Sequence, residues 1–527
     1  MLVARSRVSL QLVAALLVYA ASSVVLLGRA VVLHPATTVV GDDGADKTLY
    51  MWAFEWWPHA LASGHDPLDV DVAWVPHGFD LGLGTAGGGL ALLAWPLTAT
   101  AGPVVAYNAF ALAAPAAAGT AAFLLARELT GTFAPSLVGG FVFGFSSYEL
   151  GHLLGHLPLA FTAAVPLAAW LVVRRDRGTL GRRAFVALLA AVLAVQFAIV
   201  TQVFFSLVLV AAVAAVLWRD HRATIGECAA AAAAALVVVS PVLVYAAVAH
   251  AAAPARSPFA ESADLLNFAV PTHRTWLHTS ATDAVAARFT GTGAELGAYL
   301  GVPLLVLATL GARGRPRMAL LLAATAVLAL GTRVKIAGTV VFVGPWTVLA
   351  RLPVVGSALP VRLTLYTSLL AGLLVAFALA DRPSRLRSAL AVLGVCATLP
   401  NLALPTWHSR VPRAPSVPDG ATALVLPYGP AGWSMLWQAE DGFRYRLVGG
   451  HFALRVTPQE RRWRDVYTGV NGGRVTPRRF RAFLAAHAVT AIVVAPGTRR
   501  GARRLVAAVA RTPPRPAGDS LVYDVTP

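Results

Sequence analysis

Apolar runs close to the length of a membrane span recur along most of this 527-residue chain. Runs of roughly 17–25 residues are long enough to cross a bilayer as helices. We predict such helices at about residues 8–33, 103–127, 133–148, 156–173, 184–200, 201–218, 222–250, 295–311, 317–331, 361–380 and 387–404. Charged residues form 13% of the chain, against roughly 25% in soluble domains, so composition also indicates a polytopic membrane protein.

Arginine clusters between the apolar runs predict how these helices are oriented. They lie in four short loops, at residues 174–183, 219–222, 313–317 and 382–387. Basic loops are retained on the cytoplasmic side of bacterial membranes. With the N-terminus inside, all four loops fall on that side. The outer face then receives residues 34–102, 251–294, 332–360 and the C-terminal segment. The clusters account for the net charge of +18 without a nucleic-acid partner.

Two further apolar segments are too short to cross the bilayer. The run 90–100 contains Pro96, and the run 337–350 is broken at Gly344 and Pro345. We predict that both are interfacial or re-entrant, because a span needs roughly 20 residues. A full span at 90–100 would also place the four arginine loops outside.

The composition changes at Pro405, and the rest of the chain predicts a small soluble α/β domain. Apolar runs bounded by turn residues predict strands, and apolar residues at helical spacing predict helices. The strands are expected at 421–429, 490–497 and 519–525, and the helices at 477–488 and 498–511. The fold class is therefore mainly α, with a polytopic domain over residues 1–404 and an extracytoplasmic α/β domain over 405–527.

The first outer loop, residues 34–102, is acidic in an otherwise basic chain. It holds eight carboxylates and one basic residue, Lys47. Asp42, Asp43 and Asp46 lie in the sequence GDDGAD just beyond the first helix. A carboxylate here can accept the proton of an incoming hydroxyl, or help to hold a divalent cation. The alternative is that Asp43 or Asp46 only caps the helix that follows.

An aromatic segment, TLYMWAFEWWPHAL at residues 48–61, follows these acids. Because Trp and Tyr prefer the headgroup level of a membrane, the segment predicts an interfacial helix that anchors the loop. The alternative is a platform for a sugar ring or an isoprenoid chain, with Trp56 as the candidate contact.

The segment FSSYELGHLLGHLPLAF, residues 145–161, places two histidines near one end of predicted helices. His152 and His156 are four residues apart and share one face if the segment is helical. With Glu149 they form a candidate group for metal binding or proton transfer. Contact with a substrate phosphate and structural polar packing are the alternatives.

Four cations flank the short apolar segment 337–350 on its predicted outer side. They are Arg333, Lys335, Arg351 and Arg362. Cations beside apolar chain suit the phosphate of a lipid carrier whose tail lies in the bilayer. Ordinary snorkelling of each side chain to the interface is the alternative.

The acidic motif GDDGAD, followed by tryptophans, His59 and the tripeptide His65-Asp66-Pro67, resembles the GT-C superfamily of integral-membrane glycosyltransferases. The order of further segments is similar to bacterial proteins near the YfhO-like branch, at 145–159, 264–272, 295–301, 351–363 and 423–451. The resemblance implies a polyprenyl-phosphate sugar donor. It also implies that the catalytic base is a first-loop carboxylate, here Asp42 or Asp43, with Asp46 close behind.

These observations favour a glycosyltransferase of the bacterial plasma membrane that acts on the outer face. The expected partners are the lipid-linked sugar donor, membrane lipid and an envelope glycan, lipid or protein acceptor, with no nucleic acid. His59 and His65 join the candidate substrate contacts, and a divalent cation is a possible cofactor whose ligands are unknown. The alternative is a non-catalytic lipid-carrier transporter or assembly factor for envelope polysaccharide.

Overall fold

Two compact units make up the chain. The computed structural model describes residues 2–42, 46–83, 88–249, 261–352, 358–451 and 460–525. The helical unit comprises Met1–Arg29 and Ala111–Trp407, and the α/β unit comprises Ala30–Phe110 and His408–Pro527. The first outer loop therefore folds in one unit with the C-terminal segment, whereas the sequence-based division at residue 404 leaves that loop with the helices.

Helices occupy most of the chain. Their bounds are α1 Leu2–Ser23, α2 Arg29–Leu33, α3 Lys47–Ala62, α4 Gly88–Ala101, α5 Pro103–Thr130, α6 Phe133–Gly144, α7 Ser147–Leu153, α8 Ala164–Asp176, α9 Arg182–Ile199, α10 Thr201–Leu217, α11 Arg222–Ala249, α12 Ser280–Ala286, α13 Val302–Ala312, α14 Pro316–Ala329, α15 Trp346–Leu349, α16 Thr364–Asp381, α17 Arg385–Thr398, α18 Ser434–Glu440, α19 Arg464–Gly469, α20 Pro477–Ala486 and α21 Arg500–Val509. A π-helical turn, Val24–Gly28, joins α1 to α2.

Every predicted span contains a helix, and the multi-pass character is confirmed. Among the described residues, six helical stretches have the length and hydropathy of a membrane span: Ser9–Leu33, Pro103–Thr130, Leu157–Asp176, Arg182–Ile199, Arg222–Tyr245 and Pro360–Asp381. Shorter apolar helices are α4, α6, α10, α13 and α14. The predicted run 295–311 becomes helical only at Val302, because the preceding residues form a 3₁₀ turn and loop.

Helix α16 lies at the centre of the helical unit, where α6, α13 and α14 pack against it. Close approach to α6 depends on glycine. A Cβ on Gly372 would lie 2.6 Å from the carbonyl oxygen of Gly139, and a Cβ on Gly139 would lie 2.7 Å from that of Gly372. Small residues at such crossings let helix backbones meet in a membrane, where the lipid gives little hydrophobic drive for association.

The four arginine loops lie together at one end of the helical unit. Ion pairs connect them, namely Arg175–Glu227 at 2.5 Å, His221–Asp176 at 2.6 Å, Arg317–Asp220 at 2.9 Å and Arg315–Asp381 at 2.7 Å. The shared side that the sequence predicts is therefore confirmed, and its cytoplasmic location stays a prediction.

The α/β unit is built on a five-stranded sheet. The strands of the chain are β1 Thr38–Val40, β2 Asp69–Val70, β3 Phe79–Asp80, β4 Arg333–Ile336, β5 Thr339–Val343, β6 His408–Arg410, β7 Thr422–Leu426, β8 Arg446–Leu447, β9 Ala491–Val494, β10 Arg515–Ala517 and β11 Ser520–Asp524. The sheet order is β10-β11-β9-β7-β8, with β7 parallel to both β8 and β9. The predicted strands at 421–429, 490–497 and 519–525 and both predicted helices are confirmed.

The first outer loop joins this sheet through its backbone. Val75 N donates to Leu447 O, and Leu447 N donates to Val72 O, so the loop extends the sheet beyond β8. A second antiparallel pair, β1 with β6, connects the start of the loop to residues 408–410. These bonds hold the acidic loop on the C-terminal segment of the α/β unit.

The two short apolar segments form different structures. Residues 88–101 are the helix α4, which packs against α3 within the α/β unit. The segment that begins at residue 337 forms the turn and the second strand, β5, of the hairpin β4–β5 and then α15 in the helical unit. The β5 side chains from Thr339 to Val343 are exposed, and their interfacial location stays a prediction.

Candidate functional site

The acidic motif turns sharply after β1 and is held by a buried lysine. Gly41 has a φ of +107°, a conformation that favours glycine. The Lys47 side chain is 0% exposed, and its ammonium donates to the carbonyl oxygens of Gly41 (3.4 Å) and Asp42 and to the Ser409 hydroxyl. The Trp433 ring lies 5.2 Å from the same nitrogen. A buried charge needs such partners, so Lys47 fixes the backbone beside the acids.

Asp46 contacts a histidine that lies far from it in the sequence. His451 Nε2 lies 2.7 Å from Asp46 Oδ1. Asp46 stands at the N-cap position of α3, but its side chain accepts no capping hydrogen bond. Its carboxylate therefore contacts the histidine, and the interpretation that the Asp46 side chain caps α3 is wrong.

Of the other two acids in the motif, only Asp42 lies among the residues that the structure describes. Asp42 is half-buried, and its carbonyl oxygen binds Lys47, whereas Asp43 lies outside the described residues. Among the residues that the structure describes, no group of three or more His, Cys, Asp or Glu side chains could hold a metal ion. The divalent cation stays a prediction.

The aromatic segment forms a helix in the interior of the α/β unit. Trp56 is buried, stacks on Trp52 at 5.3 Å between ring centroids, and donates from Nε1 to Pro67 O at 2.9 Å. Trp52 Nε1 donates to Gln438 Oε1 at 3.0 Å. Residues 47–54 of α3 are buried throughout. The helix is therefore a core element of its unit, and neither the exposed anchor nor the open platform describes Trp56.

His59 and His65 lie near the other end of α3. Both are exposed, and the His59 ring contacts Phe443 at 4.7 Å between centroids. Burial and the neighbouring His65 lower the pKa of His59 from its usual range, while Asp71 opposes this effect. These histidines remain candidate contacts for an anionic or hydroxyl-bearing ligand.

A second polar cluster lies inside the helical unit. Arg362 Nε donates to Glu295 Oε1 at 2.9 Å, and its Nη1 donates to Gln202. His152 Nε2 lies 3.8 Å from Glu295 Oε2. A Cβ on Gly151 would lie 2.9 Å from Ala294 O, so glycine allows α7 to approach the turn that carries Glu295.

Burial sets the protonation states of this cluster. It raises the pKa of the Glu149 carboxyl well above its usual range, and Thr162 donates a hydrogen bond to Oε1. It lowers the pKa of His152 to about 3, against the opposing effect of Glu295. Burial alone would raise the pKa of Glu295, but His152 and Arg362 reverse this and hold it below its usual range. The cluster thus pairs the Glu295 carboxylate with Arg362, while burial disfavours the charged forms of Glu149 and His152.

His152 and His156 do not share one helical face. Helix α7 ends at Leu153, and the two ring centroids are 5.9 Å apart. His152 Nδ1 faces Tyr148 O at 2.9 Å, which assigns the proton to that nitrogen. Buried polar contacts dominate here, so the geometry favours packing over a metal pair for His152.

The four predicted outer cations separate into two pairs. Arg362 is bound to Glu295, and the buried Lys335 donates to the Thr290 hydroxyl. Arg333 and Arg351 are exposed. Glu261 lies close enough to both buried cations for each to lower its pKa, although burial has the larger effect and raises it. Arg362 and Lys335 therefore make contacts inside the unit, whereas Arg333 and Arg351 lie at its surface.

Sequence reasoning missed several partners in these clusters. Ser409 and Gln202 lie outside the predicted motifs, and Trp433 and His451 lie in the segment 423–451 without a predicted role. Lys47 was noted only as a lone basic residue among acids. A lysine in an acidic loop next to an apolar helix start was the available signal. Nothing local marks His451, because its partner lies near the other end of the chain.

Solved structures give the fold a name. The mycobacterial arabinofuranosyltransferase AftD superposes with a TM-score of 0.53 at 17% identity, over 97% of this chain and 41% of AftD. The oligosaccharyltransferase of Archaeoglobus fulgidus, solved with Zn and sulfate, gives a TM-score of 0.50 at 14% identity, over 91% of this chain and 68% of that protein. Both are GT-C membrane glycosyltransferases.

The chain has the GT-C fold. At these identities the likeness establishes the architecture, which the sequence resemblance implies. No protein-family model and no curated protein matches the chain, and its position near the YfhO-like branch stays a prediction.

Proposed function

We propose that this GT-C protein is a membrane glycosyltransferase that uses a polyprenyl-phosphate sugar donor. The acceptor is an envelope glycan, lipid or protein on the outer face of the bacterial plasma membrane. The observation that carries the proposal is the Asp46–His451 contact at 2.7 Å in the first loop of a GT-C fold. A carboxylate that a histidine orients supports the assignment of Asp46 as the general base.

Asp46 then removes a proton while a glycosidic bond forms. His451 Nε2 lies 2.7 Å from Asp46 Oδ1 and orients the carboxylate, which accepts the hydroxyl proton of the acceptor. The acceptor oxygen bonds to the anomeric carbon as the bond from that carbon to the phosphate oxygen breaks. The lipid phosphate leaves with the electron pair, and a single displacement inverts the configuration.

Asp42 and Asp43 are the alternative bases of the same reaction. Lys47 donates to the carbonyl oxygens of Gly41 and Asp42, so it holds the backbone at Asp42. Arg333 and Arg351 are exposed, and their contact with the donor phosphate remains a prediction.

The test compares aspartate-to-asparagine variants in purified protein reconstituted with a radiolabelled polyprenyl-phosphate sugar and an envelope extract. Asp46→Asn should reduce transfer by roughly 10²–10⁴-fold, the usual contribution of a general base. Asp69→Asn, an exposed acid of the same loop, is the matched control and should transfer normally.

Other outcomes separate the alternatives. Loss of transfer only in Asp42→Asn or Asp43→Asn would move the base to that residue. Full activity in all three variants would disprove a first-loop base. Movement of the lipid-linked sugar between leaflets without bond formation would favour the non-catalytic transporter.

A further inference from the structure

A cavity of about 580 Å³ opens in the α/β unit, apart from the Asp46–His451 contact. It lies at the carboxyl ends of the parallel strands β7 and β9, where the chain leaves the sheet at Pro427 and Ala495. Open α/β sheets bind ligands at this edge, because the loops that follow neighbouring parallel strands diverge there.

Three arginines give the cavity its charge. Arg410, Arg474 and Arg499 line it, and no acidic residue does. Among the described residues, no carboxylate forms an ion pair with any of the three. Helix α21 begins directly after Arg499, and the first turn of a helix adds favourable potential for an anion. The cavity is therefore a concentration of positive charge that an anionic ligand would balance.

The walls of the cavity are held by side-chain hydrogen bonds. Asn471 accepts from Tyr428 N at 2.6 Å and donates to Tyr428 O at 2.9 Å, which fixes the loop after β7. The Thr498 hydroxyl lies 3.0 Å from Leu426 O and 2.7 Å from Ala495 O, which fixes the loop after β9. A preformed wall lowers the entropic cost of binding.

One residue connects the cavity to the acidic turn. Trp433 lines the cavity, and its ring also faces the Lys47 ammonium. Ser409, the neighbour of Arg410, accepts a hydrogen bond from the same ammonium. Thus the cavity adjoins the turn that carries Asp42.

We propose that this cavity binds an anionic saccharide, a glycan unit that bears carboxylate or phosphate groups. The guanidinium groups bind the anionic substituents through paired hydrogen bonds, and Trp433 offers an aromatic edge to the sugar ring. That this glycan is the acceptor rests on the proposed function, whereas its binding does not.

The experiment measures binding to the full-length protein in phosphatidylcholine nanodiscs by calorimetry. The probes are a tetramer of galacturonic acid, a monosaccharide phosphate and, as the neutral comparison, maltotetraose. We expect an acidic probe to bind with an affinity that falls as salt rises, and the two acidic probes distinguish carboxylate from phosphate recognition. The double variant Arg474→Gln/Arg499→Gln should bind at least about tenfold more weakly.

Arg511→Gln is the matched control, because it removes an exposed arginine beyond the opposite end of α21. Thermal unfolding checks that each variant is folded, and Arg410→Gln gives an independent test from another strand. Equal binding of the neutral tetramer, or unchanged affinity in the double variant, would overturn the proposal. So would arginine-dependent binding to phosphatidylglycerol vesicles without saccharide binding. The binding experiment contains no sugar donor, so a negative result would not bear on the proposed transfer reaction. Conversely, the Asp46→Asn variant, which should be inactive in transfer, should still bind the acidic probe.

Discussion

His451 Nε2 and Asp46 Oδ1 lie 2.7 Å apart, although nearly the whole chain separates the two residues. The contact joins the start of α3 to the segment that follows β8. The backbone bonds of Val72–Val75 to β8 and the pairing of β1 with β6 support it. Because these interactions hold both residues, the carboxylate is oriented before any substrate binds.

Replacing His451 should weaken transfer without abolishing it. We expect His451→Gln to lower kcat by about tenfold to a hundredfold, because Asp46 remains but loses the donor that orients it. The double variant with Asp46→Asn should be no slower than Asp46→Asn alone, since residues that act as a unit are not additive. Single-turnover transfer measures this, with the exposed His77→Gln as control. Additive losses would contradict the coupling.

Replacing Lys47 should destabilise the protein. Lys47→Met leaves buried carbonyl oxygens of Gly41 and Asp42 without their donor, which costs roughly 1–3 kcal/mol for each unsatisfied group. Lys47→Arg should not restore stability, because the planar guanidinium does not fit a site shaped for a compact ammonium. Thermal unfolding in detergent measures both, beside the surface control Arg511→Gln. An arginine variant as stable as the wild type would refute the shape argument.

Replacing one partner of the Arg362–Glu295 pair should lower the free energy of unfolding by more than half of what replacing both partners would suggest, because the remaining partner stays buried without its counter-charge. Arg362→Met leaves the buried Glu295 carboxylate without its cation, and Glu295→Gln leaves Arg362 without its counter-charge, each at a cost of about 3–5 kcal/mol. The double variant should lose clearly less stability than the sum of the losses in the two single variants. A double-mutant cycle in chemical unfolding tests this, with Arg351→Gln as the exposed comparison. A strictly additive cycle would show that the two side chains are not coupled.

Acid should destabilise the helical unit through His152. The folded-state pKa of His152, about 3, lies below the usual value of 6.5, so the unfolded chain binds the proton more readily. This contribution to stability is full above pH 6.5 and declines as the pH falls toward 3, by at most about 1.4 kcal/mol per pH unit.

The measurement compares the unfolding temperatures of wild type and His152→Asn between pH 7 and pH 4.5. The wild type should lose more stability than the variant over this interval. The other charges that face His152 are Glu295, Arg362 and His156, and all three remain in both proteins. Parallel curves would mean that His152 does not titrate as its burial requires.

Local patterns predicted the elements of the fold well and their functions less well. Among the described residues, apolar length predicted each of the six helical stretches that are long enough to span a bilayer, because a helix in a bilayer satisfies its backbone within the segment. The tryptophans of α3 show where this reasoning fails. Trp52 and Trp56 have the composition of a membrane anchor, yet Gln438 and Pro67 accept their indole hydrogen bonds inside the α/β unit. Composition does not distinguish burial in lipid from burial in protein.

Local sequence patterns predicted the apolar helices, the shared side of the arginine loops and the α/β character of the C-terminal segment, and the role of the acidic motif in chemistry stays a prediction. These depend on residues near one another in the chain. The tertiary structure alone decided that Asp46 meets His451, that Lys47 orders the acidic turn, and that three dispersed arginines line one cavity. Such contacts depend on how strands and loops far apart in sequence pack together, and no local spacing encodes that arrangement.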